Sequence, residues 1–495
     1  MTNEMKQERT ENATGTSITA PLDAFDGVVL HPSLDFKDGV LLLGFSYRDK
    51  ALKNTRVFFI AHGGSVSLLT DTSITVNGKL FSIDERRGVP LASLEERWGI
   101  TEAQAFIDKR AEGNTPIGYA GRSTLVEQIA AEVRQHIQFE DELDSYILAA
   151  WVIGTYFHRI FYAFPFLHIK APKGSGKSQC LNFLRQLSFN AEKSRPSVAA
   201  LGDTIDAAHG TYLIDQADSL GRENSQELLD ILADSYKRSG GKRRVISIDK
   251  GRRQMLELET YGPKAFASIK ELPEDLRDRC FLLTLTRSKR NDLLDPDDPY
   301  LDWAQKRGEL YKALLTEYAM VDAEYAIRRR QHRDNKTITG RRLELWLPIE
   351  VILCYFGAEV RLDAVRRRFL EQYGLTEYEP NELEAEMFRV LLSRLESEPE
   401  TTLSPKEISE DMDKDVFRSP ETKQQASAVG WAIKKFNLAS EEKGRTSGGK
   451  RYLFKKERVQ SVYDSYSKSA VDHTPPTPLE MEAQYLAGSG AGSEV

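Results

Sequence analysis

One stretch near the middle of the chain, FPFLHIKAPKGSGKSQCLNFL at residues 164–184, constrains the fold more than any other. FLHIKA predicts a buried strand, PKGSGKS a glycine-rich turn, and SQCLNFLRQL a helix. A strand, a glycine-rich turn and a helix in this order are the setting that a phosphate-binding loop requires. Ala171 replaces the first glycine of G-x-x-x-x-G-K-S, and a small residue suits that turn. The alternative, a glycine-rich turn without function, does not account for both flanks.

The loop predicts a site for nucleotide phosphates, with ATP and Mg²⁺ as cofactors. Gly174 and Gly176 allow backbone N–H groups to close around the β- and γ-phosphates, aided by the dipole of the helix N-terminus. Lys177 is predicted to lie between those phosphates, and the Ser178 hydroxyl to bind Mg²⁺. The residues predicted to bind the cofactor are Pro172, Lys173, Gly174, Ser175, Gly176, Lys177, Ser178 and Gln179.

A second stretch, GTYLIDQADSL at residues 210–220, predicts a buried parallel strand that ends at Asp215. Asp215 is predicted to hold the Mg²⁺ through water. The next residue is Gln216, where ATP-hydrolysing proteins usually carry a glutamate. Three interpretations stay open. Gln216 orients water while Asp218 takes the proton; or hydrolysis is slow and the protein is an ATP-gated clamp; or another acid, in this domain or a neighbouring subunit, serves.

The residues that follow predict the rest of an α/β core. SQELLDILADSYKRSG is a helix, and KRRVISIDKGRRQMLELETYG is two strands around a basic turn. PKAFASIK and FLLTLTR predict two further strands, separated by the short helix ELPEDLRDRC. The pattern therefore predicts about five parallel strands, with a basic β-hairpin inserted before the fourth.

In this order of motifs, from the phosphate loop to LPEDLRDRC and GRRLELWLPI, the chain resembles the AAA+ helicase domains encoded by phages, plasmids and integrative elements. Those are related to the MCM-like and superfamily III helicases, and the resemblance covers roughly residues 141–356. It implies an AAA+ P-loop core with helices on both faces of its sheet, in a homohexameric ring that hydrolyses ATP between subunits.

The resemblance also implies roles for single residues. Lys270 matches a polar sensor near the γ-phosphate, and Arg279 matches an arginine finger that reaches the neighbouring subunit's nucleotide, with Arg277 as the alternative. Arg342, beside Arg341, matches the second sensor arginine of the lid. The alternative for each of these residues is a surface ion pair, and EDLRDR in particular can pair with itself along a helix.

Two basic clusters are predicted to bind DNA. The resemblance implies that the hairpin grips single-stranded DNA in the pore of the ring, through phosphate contacts; the alternative is a strand edge protected by charge. Near the C-terminus, SPKEISEDM predicts a helix capped by Ser404 with Pro405 at its first position, and a second helix is expected to start in the same way at Ser419. With the hairpin that follows, these helices have the order of a winged helix, for duplex DNA or for a protein partner. The predicted DNA-binding residues are Lys242, Arg243, Arg244, Lys250, Arg252, Arg253, Lys434, Lys435, Arg445, Lys450 and Arg451.

The chain is expected to divide into seven regions. They are disordered residues 1–20, a small β-rich domain at 21–90, a helical linker at 91–140, the ATPase core at 141–290, a helical lid at 291–400, a winged helix at 401–466 and a disordered tail at 467–495.

Composition limits the alternatives. No apolar run approaches the ~20 residues of a membrane span, and the polar N-terminus is not a signal peptide. Three scattered cysteines show no metal or disulfide spacing, which fits the cytoplasm and predicts no structural zinc. The net charge of −7 argues against a general nucleic-acid coat protein but not against a local basic channel.

The expected function is an ATP-driven DNA translocase or helicase in replication of a mobile genetic element, with a separate primase or initiator as a further partner. The alternative is an ATP-dependent initiator, loader or clamp that unwinds little. A small-molecule kinase is disfavoured, because it explains neither the hairpin nor the winged helix.

Overall fold

The structure is a computed structural model, and it describes only part of the chain. The described residues are 27–48, 54–69, 71–87, 90–111, 121–193, 198–220, 226–249, 252–335, 338–374, 382–417, 419–446 and 449–467. Residues 1–20 and 467–495, for which disorder is expected, lie outside the described residues apart from Ser467. Lys250 also lies outside them. For Arg252 and Arg445 the backbone alone is described.

The chain forms two compact units, residues 1–376 and 377–495. The strands of the first unit are β1 (Val28–Leu30), β2 (Leu34–Lys37), β3 (Val40–Arg48), β4 (Asn54–His62), β5 (Ser65–Leu69), β6 (Ser73–Val76), β7 (Lys79–Ile83), β8 (Phe166–Lys170), β9 (Glu192–Lys193), β10 (Tyr212–Ile214), β11 (Lys242–Asp249), β12 (Arg252–Glu259), β13 (Lys264–Ser268) and β14 (Cys280–Thr284). Its α-helices are α1 (Leu94–Arg97), α2 (Ile100–Ala111), α3 (Leu125–His136), α4 (Leu143–Phe157), α5 (Lys177–Leu187), α6 (Val198–Ala208), α7 (Gln226–Asp234), α8 (Glu274–Arg277), α9 (Trp303–Asn335), α10 (Gly340–Tyr355) and α11 (Leu362–Gly374).

A five-stranded parallel sheet in the order β14-β8-β13-β10-β9 lies at the centre of this unit. The β11–β12 hairpin stands between the third and fourth of these strands along the chain. The prediction of five parallel strands with an inserted hairpin is therefore confirmed. Every residue of β10 and β13 is buried, as expected for strands covered on both faces.

Helices supply the rest of this core. The apolar run that begins at Tyr146 forms α4, in which every residue after Leu143 is buried, so it packs inside the protein on all sides. Helix α5 packs on β8, β10 and β13, and α11 packs on β14. Among the described helices, none combines the length and apolar content needed to cross a membrane.

The N-terminal strands form two further sheets, in the orders β1-β7-β6 and β2-β3-β4-β5. One face of β3 and β4 packs into the main apolar core of the unit, whereas their other face forms a separate small core with β1, β6 and β7. Trp98, fully buried, lies 5.2 Å from the ring of Phe59 on β4 and 5.5 Å from the ring of Tyr311 on α9. The N-terminal strands are therefore packed against the rest of the unit through β3 and β4.

A buried polar joint ties the N-terminal strands to the base of the hairpin. Arg87 pairs with Asp206 on α6 and donates to the carbonyl oxygen of Glu257 on β12, at 2.8 Å. Arg159, 5% exposed, pairs with Glu259 at 2.7 Å and with Asp35 at 3.5 Å. These contacts balance charges that would be costly to bury alone.

Two stacked histidines, His31 and His209, complete this polar joint, with ring centroids 3.4 Å apart. Burial lowers the pKa of both, so they are neutral near pH 7. Together with Asp206 they offer three possible metal-ligand atoms within 4.8 Å of one another. However, the Ser33 N–H donates to Nδ1 of His31, which puts the proton of that ring on Nε2, and Asp206 is already paired with Arg87. The cluster is therefore explained as a structural joint.

The second unit contains α12 (Glu382–Ser397), β15 (Glu400–Leu403), α13 (Pro405–Asp411), α14 (Thr422–Lys435), β16 (Glu441–Thr446), β17 (Gly449–Lys455) and α15 (Lys456–Ser467). Its sheet has the order β15-β17-β16. The cap predicted at Ser404 is confirmed as a capping box with Glu407. Helix α14 begins at Thr422 rather than at the expected Ser419. The expected lid range, 291–400, includes α12, which belongs to this unit. The seven-region division stays a prediction.

We expect Glu259→Gln to lower the unfolding free energy of the first unit by about 2 kcal/mol, because it leaves the buried charge of Arg159 partly uncompensated. Urea unfolding followed by tryptophan fluorescence measures this, since the tryptophans of this unit are buried whereas Trp431 of the second is 76% exposed. Glu257→Gln is the matched control on the same strand. Its side chain makes only surface ion pairs and should cost less than about 1 kcal/mol. Equal losses would contradict the buried-joint interpretation.

Candidate functional site

The glycine-rich loop connects β8 to α5 as the sequence predicts. Gly174 and Gly176 have φ angles of 81° and 83°, in the left-handed region that favours glycine. A Cβ atom built on either residue meets no heavy atom within 4 Å, so the loop is open on that side. Gly176 precedes the first residue of α5 and has no side chain to cap its N–H groups. These groups and the helix dipole are therefore available to an anion.

Lys177 folds back over this loop. Its Nζ donates to the carbonyl oxygens of Ala171, at 2.5 Å, and Pro172, at 2.8 Å. Ser178 follows and is exposed. The ammonium and the hydroxyl thus lie at the loop where the sequence predicted the phosphate and magnesium contacts.

Asp215 directly follows β10, at the same edge of the sheet as the loop. Its Oδ1 accepts from the N–H of Gln216 at 2.9 Å, and its Oδ2 lies 3.5 Å from Nζ of Lys193. Gln216 is exposed and has a φ of 57°, so the chain turns sharply here. Parallel strands end at a common edge, which explains why Asp215 and the loop lie at the same edge of the sheet.

Asp218 has a role that the sequence did not suggest. Its Oδ1 accepts from the backbone N–H groups of Ile269, at 3.0 Å, and Lys270, at 2.8 Å. The carboxylate thus fastens the segment after β13 to the segment after β10.

A buried pair supports the same segment. Ser268 donates to the carbonyl oxygen of Lys270 at 2.6 Å, and Nε2 of His168 lies 2.7 Å from the Ser268 hydroxyl. Burial lowers the pKa of His168 to about 4, so the ring is neutral near pH 7. Sequence reasoning missed both residues, although a polar residue in each of two buried strands was a usable signal. Lys270 is therefore held by its backbone from two sides.

A cavity adjoins the loop between the end of α3 and the segment after β14. The Gln179 side chain bridges these two segments, donating to the carbonyl oxygens of His136, at 2.9 Å, and Leu294, at 3.1 Å. The cavity is lined by His136, Ile137, Gln138, Gly174, Ser175, Gly176, Gln179, Leu285, Thr286, Arg287, Ser288 and Leu293. Except for the loop residues, the sequence did not predict this lining, because three distant segments form it.

The predicted arginines lie at the opposite edge of the sheet. The carbonyl oxygen of Arg279 accepts from Phe166 N–H, and β14 then runs alongside β8 to Lys170. Five strand residues span roughly 16 Å. Arg279 is thus separated from the phosphate loop of its own chain by the length of the sheet.

Arg341 lies beside Arg279. Nη1 of Arg279 is 2.9 Å from Asp278 Oδ1, and Nε of Arg341 is 3.5 Å from Asp278 Oδ2. Arg341 also stacks over the ring of Tyr236, at 4.7 Å, while Arg342 lies over Tyr373, at 5.7 Å. The arginines are therefore grouped together, away from the loop, Asp215 and Lys270. The Arg279–Asp278 contact is compatible with the alternative of a surface ion pair, although both residues follow the end of α8.

The basic hairpin is less positive than its sequence suggests. Lys242 and Arg244 both pair with Glu257 on the opposite strand, at 2.7 and 3.5 Å, and Arg243 pairs with Glu227 at 2.8 Å. Arg253 is exposed towards the tip. The acidic partners lie on the opposite strand of the hairpin and on α7. The net charge of the hairpin surface therefore cannot be predicted from the sequence of one strand.

The basic residues of the second unit show the same pattern. Lys435 pairs with Glu384 at 3.3 Å, Lys450 with Glu442 at 2.8 Å, and Arg451 with Glu407 at 3.3 Å. Lys434 is exposed on α14.

No protein family model matches the chain, and no curated protein matches it. Similar solved structures include the C-terminal region of NrS-1, at 9% identity over 84% of this chain and 96% of that chain, with a TM-score of 0.30. The JCV helicase is 11% identical over 54% of this chain and 72% of that chain, with a TM-score of 0.20. A chain of Drosophila ORC bound to DNA is 11% identical over 73% and 99%, with a TM-score of 0.17. These scores are too low to assign a fold or a function.

Substitutions at Asp218 separate its two possible roles. Asp218→Asn keeps an oxygen that accepts from both N–H groups, so a fastening role predicts ATP turnover within about threefold of wild type. Asp218→Ala removes both hydrogen bonds, each worth about 1 kcal/mol, and turnover should fall about 30-fold. Steady-state ATP hydrolysis measures both. Two equally inactive variants would instead identify Asp218 as the proton acceptor.

Proposed function

We propose that this protein is an ATP-driven DNA translocase or helicase with an AAA+ core, which hydrolyses ATP between the subunits of a homohexameric ring and acts in replication of a mobile genetic element. The observation that carries the proposal is the separation of the two halves of the site. The phosphate loop and Asp215 lie at one edge of the sheet and Arg279 at the other. A single chain cannot bring them together, whereas neighbouring copies in a ring can.

The residues at the loop fit ATP with Mg²⁺. The loop is open at both positive-φ glycines and leads into an uncapped helix N-terminus, as an anion site requires. Lys177 supplies an ammonium for the phosphates, and the Ser178 hydroxyl and the Asp215 carboxylate are the hard oxygen ligands that Mg²⁺ prefers. When bound, the magnesium ion would neutralise charge on the β- and γ-phosphates.

The proposed DNA contacts follow from the hairpin and the second unit. The hairpin is a separate two-stranded sheet with exposed Arg244 and Arg253. The second unit runs helix, strand, helix, helix and hairpin, the order expected of a winged helix, and α14 exposes Lys434 and Trp431. Because many of the basic residues are paired with acids, we assign DNA binding to the exposed ones first. The resemblance to helicases of mobile elements supports DNA replication as the setting.

A specific observation favours the second candidate, an ATP-dependent initiator, loader or clamp with little unwinding. Gln216 cannot accept a proton, and the Asp218 carboxylate is engaged by two backbone N–H groups. Slow hydrolysis would suit a switch better than a translocase.

ATP hydrolysis with and without single-stranded DNA tests the proposal directly. We expect DNA to stimulate hydrolysis by the wild-type protein and Lys177→Ala to reduce it at least about 100-fold, because the phosphates lose their ammonium. A strand-displacement assay then separates a helicase from a clamp. ATP binding without turnover, with DNA binding retained, would favour the second candidate.

Mixing two inactive variants tests whether copies share the site. Lys177→Ala retains Arg279 but has a defective loop. Arg279→Ala retains an intact loop but lacks the arginine. A 1:1 mixture should recover about one quarter of wild-type turnover, because random assembly pairs an intact loop with an intact arginine at that frequency. No recovery would contradict a shared site. The same mixture with Arg277→Ala in place of Arg279→Ala shows which of the two arginines acts as the arginine finger.

A further inference from the structure

Lys193 lies at the nucleotide edge of the sheet, although no sequence motif identifies it. It ends β9, which pairs with β10, so its side chain extends towards Asp215. Its Nζ donates to Oδ1 of Asn182 at 2.9 Å and lies 3.5 Å from Oδ2 of Asp215. The side chain is 24% exposed, so it is partly shielded from water.

Asn182 fixes the direction of this ammonium. It stands four residues after Ser178 on α5, so the two residues share one face of the helix. The Asn182 amide nitrogen donates to Asp297, which turns its oxygen towards Lys193. Lys193 therefore connects the helix of Ser178 with the strand of Asp215, the two residues that fit Mg²⁺.

A fixed positive charge at this place has an electrostatic consequence. The lysine attracts the same Asp215 carboxylate that a magnesium ion needs, and it repels a second cation nearby. When no other cation is bound, Lys193 also holds the Asp215 carboxylate beside α5.

We infer that Lys193 is a positioning residue that holds Asp215 next to α5 and competes with Mg²⁺ for it, so that it sets the magnesium concentration at which nucleotide binds. This inference rests on the proposed function, because it assumes that the loop binds ATP. Lys193 would thus add a positive charge to the proposed site from β9, a strand that carries neither the phosphate loop nor Asp215.

The test is a magnesium titration of nucleotide binding by the full-length protein. A fluorescent N-methylanthraniloyl ATP is the probe, and the magnesium-dependent change in its fluorescence is followed from an EDTA background. Lys193→Met keeps the length of the side chain and removes its charge. We expect the half-saturating magnesium concentration to fall about fivefold, as loss of one nearby charge in a partly exposed site predicts.

Two further variants control for structure. Lys193→Arg keeps the charge and should leave the magnesium requirement within about twofold of wild type. Lys312→Met removes a lysine of similar exposure, 30%, from an ion pair with Glu309 on α9, and should change nothing. If Lys193→Arg behaves like Lys193→Met, shape rather than charge is responsible and the inference is wrong.

The remaining outcomes are equally decisive. An unchanged magnesium requirement in Lys193→Met would overturn the inference while leaving the proposed function intact. Loss of probe binding at saturating magnesium would also overturn it, since Lys193 would then contact the nucleotide itself. Failure of the wild-type protein to bind the probe at all would overturn the proposed function together with this inference.

Discussion

The parallel alignment of β8, β10, β13 and β14 is the constraint on which the site depends. Parallel strands place all their carboxyl ends at one edge, so the loop, Asp215 and the Lys270 segment converge without being close in sequence. The same alignment sends the residue before β14, Arg279, to the other edge. One topological fact thus brings the glycine-rich loop and Asp215 to one edge of the sheet and places Arg279 at the opposite one.

The buried polar joint gives the N-terminal strands a structural role that their sequence did not reveal. Arg87 and Arg159 reach β12 from outside the hairpin and fix its base through Glu257 and Glu259. Asp206 adds a hydrogen bond from the N–H of Glu259, at 2.6 Å. The hairpin is therefore anchored by charges at its base while its outer half carries exposed side chains.

Sequence reasoning predicted the features whose signal is local. The glycine-rich turn between a strand and a helix, the strand before Asp215 and the cap at Ser404 are each encoded within a few residues, and the structure contains all three. It failed where a contact depends on register or on distant segments. Glu257 neutralises Lys242 only because β11 and β12 pair in one register. Lys193 meets Asp215 only because β9 lies beside β10. Neither contact leaves a pattern along the chain.

The acids at the carboxyl ends of the parallel strands bear on how the proposed hydrolysis would proceed. Asp215 contacts Lys193, Asp218 accepts from two backbone N–H groups, and Glu271 pairs with Lys170. Each of these three carboxylates already has a partner, and Gln216 cannot take a proton. Under the proposed function, hydrolysis would therefore require that one of these carboxylates is released from its partner, or that another acid of the chain or of a neighbouring copy takes the proton. Release by DNA or by a neighbouring copy would make turnover depend on assembly as well as on ATP.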